Sequence, residues 1–91
     1  MQKVVEEYYH VSHEEIIGPR RTANIALARH VAVYLSSSLC EMTTPAIGAE
    51  FGGRDHSTVL NSIKVVENKM KEDRRICEDL QLLKNKIILR S

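Results

Sequence analysis

Apolar residues recur along this chain at intervals of three and four, the spacing that places side chains on one face of an α-helix. Four runs carry the pattern: Val4, Val5, Tyr8 and Tyr9; Ile25, Ala28, Ala32, Leu35 and Leu39; Val59, Ile63, Val66 and Met70; and Ile76, Leu80, Leu82, Leu83 and Ile87. The 91 residues include one Phe, no Trp, four glycines and two prolines. Together these features predict an all-α fold.

Polar and small residues mark where the predicted helices begin and end. Ser12 followed by Glu15 is the pattern of a capping box, and the glycine-proline pair at 18–19 ends the short helix that it starts. Threonines followed by proline at 43–45 predict a hydroxyl cap and then proline at the first helical position. The glycine pair at 52–53 ends that helix.

A short helix, a glycine turn and a longer helix over about residues 44–72 form the arrangement of a helix-turn-helix. We therefore expect about six helices in a single domain, residues 1–91, built around a helix-turn-helix core of the Trp-repressor type. No apolar stretch approaches the roughly 18 residues needed to span a bilayer, and no secretory signal is expected.

Charge is distributed unevenly although the net charge is only +1. Residues 18–64 carry four arginines and one lysine against three acidic side chains, and the loop GPRRTAN at 18–24 has adjacent Arg20 and Arg21 with no acid. This pattern indicates an anionic partner. Cys40 and Cys77 match no zinc spacing, so two reduced, buried thiols are expected, while a disulfide between them stays open.

The stretch FGGRDHSTV at 51–59 places the first turn of the second helix of the motif over Arg54, Asp55, His56, Ser57 and Thr58. In a helix-turn-helix these positions face base edges in the major groove. An aspartate accepts from a cytosine amine, and hydroxyls suit several base edges. The alternatives are that Asp55 only caps the helix, leaving His56 and Ser57 as surface residues, or that the cluster has a catalytic or metal-binding role.

Two arginines on a loop can hold phosphates or occupy a narrow minor groove. Arg20 and Arg21 are suited to either role, and Arg29 on the following helix adds a further guanidinium. The alternative is that both loop arginines are ordinary solvated surface residues.

GGRDHSTV closely resembles GGRDHTTV, the signature of the DnaA family of bacterial chromosomal replication initiators, and the similarity extends over nearly the whole chain. It includes the VVEEYY opening, the basic loop, the Ala-rich long helix and the Pro-initiated helix that ends in Phe51. The matching part of the family is its C-terminal DNA-binding domain. The resemblance implies sequence-specific binding of double-stranded DNA at TTATCCACA-like DnaA boxes in the replication origin.

The resemblance also assigns roles to individual residues of this chain. It implies that Asp55, His56 and Ser57 read the major groove, with Arg54 and Thr58 on the same contact surface. It implies that Arg21 enters the minor groove, with Arg20 beside it. Phosphate contacts are expected at Thr22, Arg29, His30, Thr44, Pro45 and Lys64.

Three positions depart from the common pattern of the family. Ser57 stands where threonine is common and lacks the methyl group that would pack on thymine. His30 replaces a common glutamine, and Ser37 replaces a residue that is often basic. Because the loop is also less basic than in some members, we expect fewer phosphate contacts and a lower affinity.

The chain has no G-x-x-x-x-G-K-[ST] loop, so we expect neither ATP binding nor hydrolysis, no enzymatic activity, no cofactor and no metal. The expected state is a monomer bound to DNA, cytoplasmic and nucleoid-associated, with no membrane required. Protein regulators of initiation stay open as partners. Two rival interpretations remain: a protein-interaction module that uses the C-terminal amphipathic helix, and a metal site formed by His10, His13 and Glu14, which otherwise read as exposed helix-end residues.

Overall fold

The computed structural model describes residues 2–19 and 22–90, and these residues form six α-helices without a strand. The helices are α1 (Gln2–Tyr9), α2 (His13–Ile17), α3 (Ala23–Ser38), α4 (Thr44–Glu50), α5 (His56–Glu72) and α6 (Arg74–Arg90). The prediction of an all-α fold with about six helices is confirmed. Arg20 and Arg21 lie outside the described residues.

Helix α3 lies at the centre of the fold and packs against α1, α2, α4 and α5. Three consecutive residues, Val31, Ala32 and Val33, are fully buried. Consecutive side chains point in different directions around a helix, so neighbouring elements must cover α3 on several sides. Of the five other helices that the structure describes, four therefore pack directly on this central helix.

The predicted N-terminal caps of α2 and α4 are present. The Ser12 backbone N–H donates to Glu15 Oε1 at 2.9 Å, and the Glu15 backbone N–H donates to Ser12 Oγ at 3.1 Å, so the capping box of α2 is complete. At α4 the cap is Thr43, whose hydroxyl accepts from the Ala46 backbone N–H at 3.4 Å. Because the helix begins at Thr44, Pro45 is its second residue rather than its first.

The turn between α4 and α5 is held tightly against its surroundings. Gly52 and Gly53 have φ values of +87° and +73°, in the region that favours glycine. A Cβ on Gly52 would lie 2.3 Å from the carbonyl oxygen of Ile17, so the turn abuts the end of α2. The Arg54 backbone N–H donates to the Gly48 carbonyl at 2.9 Å, and a Cβ on Gly48 would lie 2.2 Å from the Arg54 oxygen. The start of α5 is thereby fixed to both α2 and α4.

Helix α6 packs on α1 and α5. Ile76, Leu80 and Leu83 are buried, so most of its apolar face belongs to the core, whereas Leu82 is 46% exposed and does not. Leu82 directly precedes Leu83, which places its side chain about 100° around the helix from that core position. No helix among the described residues combines the length and apolar character needed to cross a membrane.

The two cysteines are free thiols in different surroundings. Cys77 is partly buried, and its Sγ donates to the Met70 carbonyl at 3.1 Å. Cys40 is exposed, so the prediction that both thiols are buried is wrong for this residue. The reason is that α3 ends at Ser38, which leaves Cys40 beyond the buried stripe of that helix.

Candidate nucleic-acid interface

The first three residues of α5 are exposed. His56, Ser57 and Thr58 are all solvent-facing, and Asp55 precedes them as the N-cap. Asp55 Oδ1 accepts from the Thr58 backbone N–H at 2.8 Å. Hydrogen bonds from the Thr58 hydroxyl and backbone N–H lower the pKa of Asp55 below its usual value. Asp55 therefore caps the helix as an anion, and base reading by the same carboxylate stays a prediction.

A groove of about 450 Å³ lies beside this turn, between α3 and α5. It is lined by Ala26, Arg29, His30, Arg54, Ser57, Thr58 and Asn61. Five of these seven residues are predicted DNA contacts, and the fold brings them together from positions up to 29 residues apart in sequence. Ala26 and Asn61 are absent from the predictions. The groove combines guanidinium, imidazole and hydroxyl groups, which are donors suited to an anion.

Arg29 is only 6% exposed, although the sequence suggests a surface contact. Its Nε donates to the Ile16 carbonyl, and its Nη2 donates to the carbonyls of Glu15 at 2.8 Å and Gly18 at 2.9 Å. Glu15 and Ile16 belong to the last turn of α2, and Gly18 is its C-cap. Carbonyls at a helix C-terminus lack partners within the helix and carry the negative end of its dipole. Arg29 therefore anchors the end of α2, and its phosphate contact stays a prediction.

Arg54 also donates a hydrogen bond to the end of α2. Its Nη2 donates to the Gly18 carbonyl at 2.7 Å, so this one oxygen accepts from both Arg54 and Arg29. Gly18 begins the predicted basic loop at 18–24, whose last two residues belong instead to the first turn of α3, which starts at Ala23. The first residue of the loop is thus bonded to the residue that precedes the cap of α5. The predictions for Arg20 and Arg21 lie outside the described residues.

His30 is half-buried in the groove. Its Nδ1 lies 2.8 Å from Ser62 Oγ, a buried hydroxyl on α5. Burial lowers the pKa of His30, and the positive charges of Arg29, Lys69 and Arg54 lower it further. The imidazole is therefore neutral at neutral pH, and an anion in the groove would favour its protonation.

The other predicted phosphate contacts lie around this site in varied settings. Thr22 is exposed and is the N-cap of α3, without a side-chain capping hydrogen bond. Thr44 is partly buried at the start of α4, and Pro45 beside it is exposed. Lys64 is exposed two turns after Ser57 on α5. None of these four residues lines the groove, and their phosphate contacts stay predictions.

The outward face of α5 extends beyond the predicted residues. Leu60 is 45% exposed and Asn61 is exposed, one turn after His56 and Ser57. Neither is among the predicted contacts, although spacings of three and four residues from His56 and Ser57 would have placed them on this face.

The alternative metal site finds no geometric support in the described part of the chain. Among these residues, no group of three or more His, Cys, Asp or Glu side chains is arranged to hold a metal ion. His13 Nδ1 instead lies 3.4 Å from Glu6 Oε2, in a partly exposed pair between α1 and α2.

Comparison with known proteins gives one consistent family. The sequence profile of the bacterial DnaA protein helix-turn-helix matches residues 1–66. Chromosomal replication initiator protein DnaA of Limosilactobacillus fermentum is 46% identical over 85 residues, which is 93% of this chain and 19% of that protein. DnaA of Lactococcus lactis subsp. cremoris is 42% identical over 86 residues, or 94% and 19% of the two chains. DnaA of Mycoplasma capricolum is 41% identical over 88 residues, or 97% and 20%. The chain thus spans about a fifth of the length of these relatives.

Proposed function

The chain belongs to the bacterial DnaA helix-turn-helix family, and on that premise we propose that it binds double-stranded DNA at TTATCCACA-like DnaA boxes. In this proposal it is the DNA-binding module of a replication initiator and acts at the replication origin. It binds as a monomer, because an asymmetric site requires no two-fold dimer. The module itself performs no catalysis.

The observation that carries the proposal is the exposed start of α5 beside a groove lined with donors. A helix N-terminus carries positive potential, and here its first turn holds His56, Ser57 and Thr58 outward. Arg29, Arg54 and His30 lie on one side of that turn. Surface of this kind suits a base edge flanked by backbone phosphate.

In the proposed complex the first turn of α5 enters the major groove. Asp55 accepts a hydrogen bond from a cytosine amine, while His56 and Ser57 contact neighbouring base edges. Thr58 and Arg54 complete this surface. Asp55 must then serve the cap and the base together, and a carboxylate has enough lone pairs for both.

The basic loop takes the adjacent minor groove in this proposal, with Arg21 inserted and Arg20 beside it. The hydrogen bond from Arg54 to the Gly18 carbonyl supports this placement, because Gly18 is the first residue of the loop and Arg54 lies just before α5. The loop therefore begins close to the first turn of α5. In this complex the phosphate contacts come from six residues: Thr22, Arg29, His30, Thr44, Pro45 and Lys64.

Selection of bound duplexes from a random pool at near-physiological salt tests the function. We expect enrichment of one asymmetric motif that ends in CACA. Enrichment of no sequence, or of a two-fold symmetric one, would contradict the proposal.

Two substitutions at Asp55 separate base reading from capping. Asp55→Asn keeps a good N-cap residue but replaces the carboxylate with an amide, which also pairs with adenine. We therefore expect an unchanged fold and altered preference at one base pair, whereas Asp55→Ala loses cap and reading together. An unchanged base preference for Asp55→Asn in the same selection would leave Asp55 as a cap only.

Arg21→Ala tests the loop, with Arg74→Ala as the control at an exposed arginine on α6. We expect weaker binding of the selected duplex for Arg21→Ala and no change for Arg74→Ala. Equal losses for the two variants would show that the loop arginine contributes only general charge.

The salt dependence of affinity reports the phosphate contacts. If about four to six phosphates are neutralised, the logarithm of the binding constant should fall with the logarithm of salt at a slope of about −4 to −5. A flat response in a titration from low to physiological salt would remove phosphate contacts from the account.

A further inference from the structure

The exposed face of α5 continues for a full turn beyond its first residues. His56, Ser57, Leu60 and Asn61 are all exposed, while Val59 before Leu60 and Ser62 after Asn61 are buried. Positions three and four residues apart share one side of a helix. Leu60 and Asn61 therefore stand directly behind His56 and Ser57 on the same outward surface.

From this juxtaposition we propose that Leu60 and Asn61 are further specificity-determining residues that read bases in the major groove. The Asn61 amide pairs with an adenine edge, and the Leu60 side chain packs on a thymine methyl group. This inference rests on the proposed function and extends it from one turn of α5 to two.

The position of Asn61 supports a direct contact. It lines the same groove as Ser57 and Thr58. It lies four residues beyond Ser57, or about 6 Å along the helix axis, which corresponds to roughly two base-pair steps. A major groove about 12 Å wide admits an α-helix, so two successive turns of α5 can lie along it. The amide offers the donor and acceptor that match N7 and N6 of adenine.

Leu60 supplies the apolar counterpart. It is 45% exposed on a face whose neighbours His56, Ser57 and Asn61 are polar. Single exposed leucines are common on protein surfaces, so exposure alone does not assign a contact. Its location supports one, because Leu60 lies one turn after His56 and Ser57 on the same face, and the thymine methyl is the apolar feature of the major groove.

The experiment combines protein variants with modified duplexes of the sequence that selection enriches. Leu60→Ala and Asn61→Ala are the test variants. The matched controls are Leu82→Ala, at a leucine of nearly the same exposure on α6, and Asn68→Ala, at an exposed asparagine two turns further along α5. Each protein is titrated against duplexes in which one thymine is replaced by uracil or one adenine by 7-deazaadenine.

For the wild-type chain, we expect one thymine-to-uracil replacement to weaken binding about three- to fourfold through loss of a buried methyl. One 7-deazaadenine replacement should weaken it about fivefold through loss of a hydrogen bond. At those positions Leu60→Ala and Asn61→Ala should no longer respond to the modified base, while both controls respond as the wild type does. Leu60→Met keeps an apolar side chain and should retain the uracil response.

Equal affinity losses of a test variant on every duplex, or responses to the modified bases that no variant removes, would overturn the inference. Unfolding curves in urea exclude a folding defect as the cause of any loss. If the wild-type chain enriches no sequence at all, the proposed function fails instead, so the two failures are distinguishable.

Discussion

Substitution of Gly52 by alanine probes the contact between the glycine turn, which joins α4 to α5, and the end of α2. Gly52 has a φ of +87°, and a Cβ there would lie 2.3 Å from the Ile17 carbonyl oxygen. Gly53 provides a matched control, since its φ of +73° also lies in the region that disfavours alanine but nothing lies within 4 Å of a Cβ built there. The pair separates backbone strain from loss of the close approach to α2.

The expected magnitudes follow from these two geometries. A positive φ costs alanine about 1–2 kcal/mol, and both variants incur this cost. Gly52→Ala must also move two backbone segments apart, because real Cβ contacts stay beyond 3.0 Å. Forcing extra volume into a packed site costs roughly 1–3 kcal/mol. We therefore expect Gly53→Ala to lose about 1–2 kcal/mol of unfolding free energy and Gly52→Ala about 2–5 kcal/mol.

Urea unfolding of the two variants and the wild type measures the difference, with m-values compared to confirm that the unfolding reaction is unchanged. Titration with the selected duplex under folded conditions then shows whether displacement of the turn also weakens DNA binding in Gly52→Ala. Equal unfolding free energies for the two variants would refute the view that the turn is held by its approach to Ile17.

Other perturbations test the tyrosine cluster and the groove histidine. The Tyr9 hydroxyl is buried without a hydrogen-bond partner among the described residues, and burial, with a smaller effect of the Asp79 charge, raises its pKa to about 12. Tyr9→Phe should therefore leave the free energy of unfolding unchanged or raise it by up to about 1 kcal/mol. Tyr8→Phe removes the 2.6 Å hydrogen bond to Asp79 and should lower the free energy of unfolding by about 0.5–1.5 kcal/mol. Urea unfolding measures both changes, and a larger loss for Tyr9→Phe than for Tyr8→Phe would contradict the prediction. The pKa of His30 is lower in the folded chain than in the unfolded chain. As the pH falls below about 6.5, the unfolded chain therefore takes up the proton first, and the free energy of unfolding decreases until the pH reaches the folded pKa. Unfolding free energies measured from pH 7 to 5 should decline more steeply for the wild type than for His30→Gln, and parallel profiles would contradict this linkage.

Short-range signals in the sequence predict the caps at which α2 and α5 begin. Ser12 and Glu15 form a capping box within four residues, and Asp55 caps α5 through Thr58 three residues later. Such contacts depend only on neighbours in the chain, so a pattern can predict them. The apolar spacing likewise places Val59 and Val66 in the core.

Contacts between distant segments are beyond the reach of those patterns. The burial of Arg29 depends on carbonyls of α2 that tertiary packing brings to it, and nothing in the spacing around Arg29 indicates that contact. The shared acceptor Gly18 joins Arg54 across 36 residues for the same reason. The exposure of Cys40 depends on where α3 ends, and helix ends are the least certain feature of a periodic pattern.

The central claim is that the exposed start of α5 is the surface that meets DNA. Titration of the ¹⁵N-labelled chain with the selected duplex, followed by amide chemical shifts, tests it residue by residue. We predict the largest shift changes at residues 55–61 and at His30, with little change along residues 78–85 of α6. Changes centred on α6, with residues 55–61 unaffected by saturating duplex, would contradict the account.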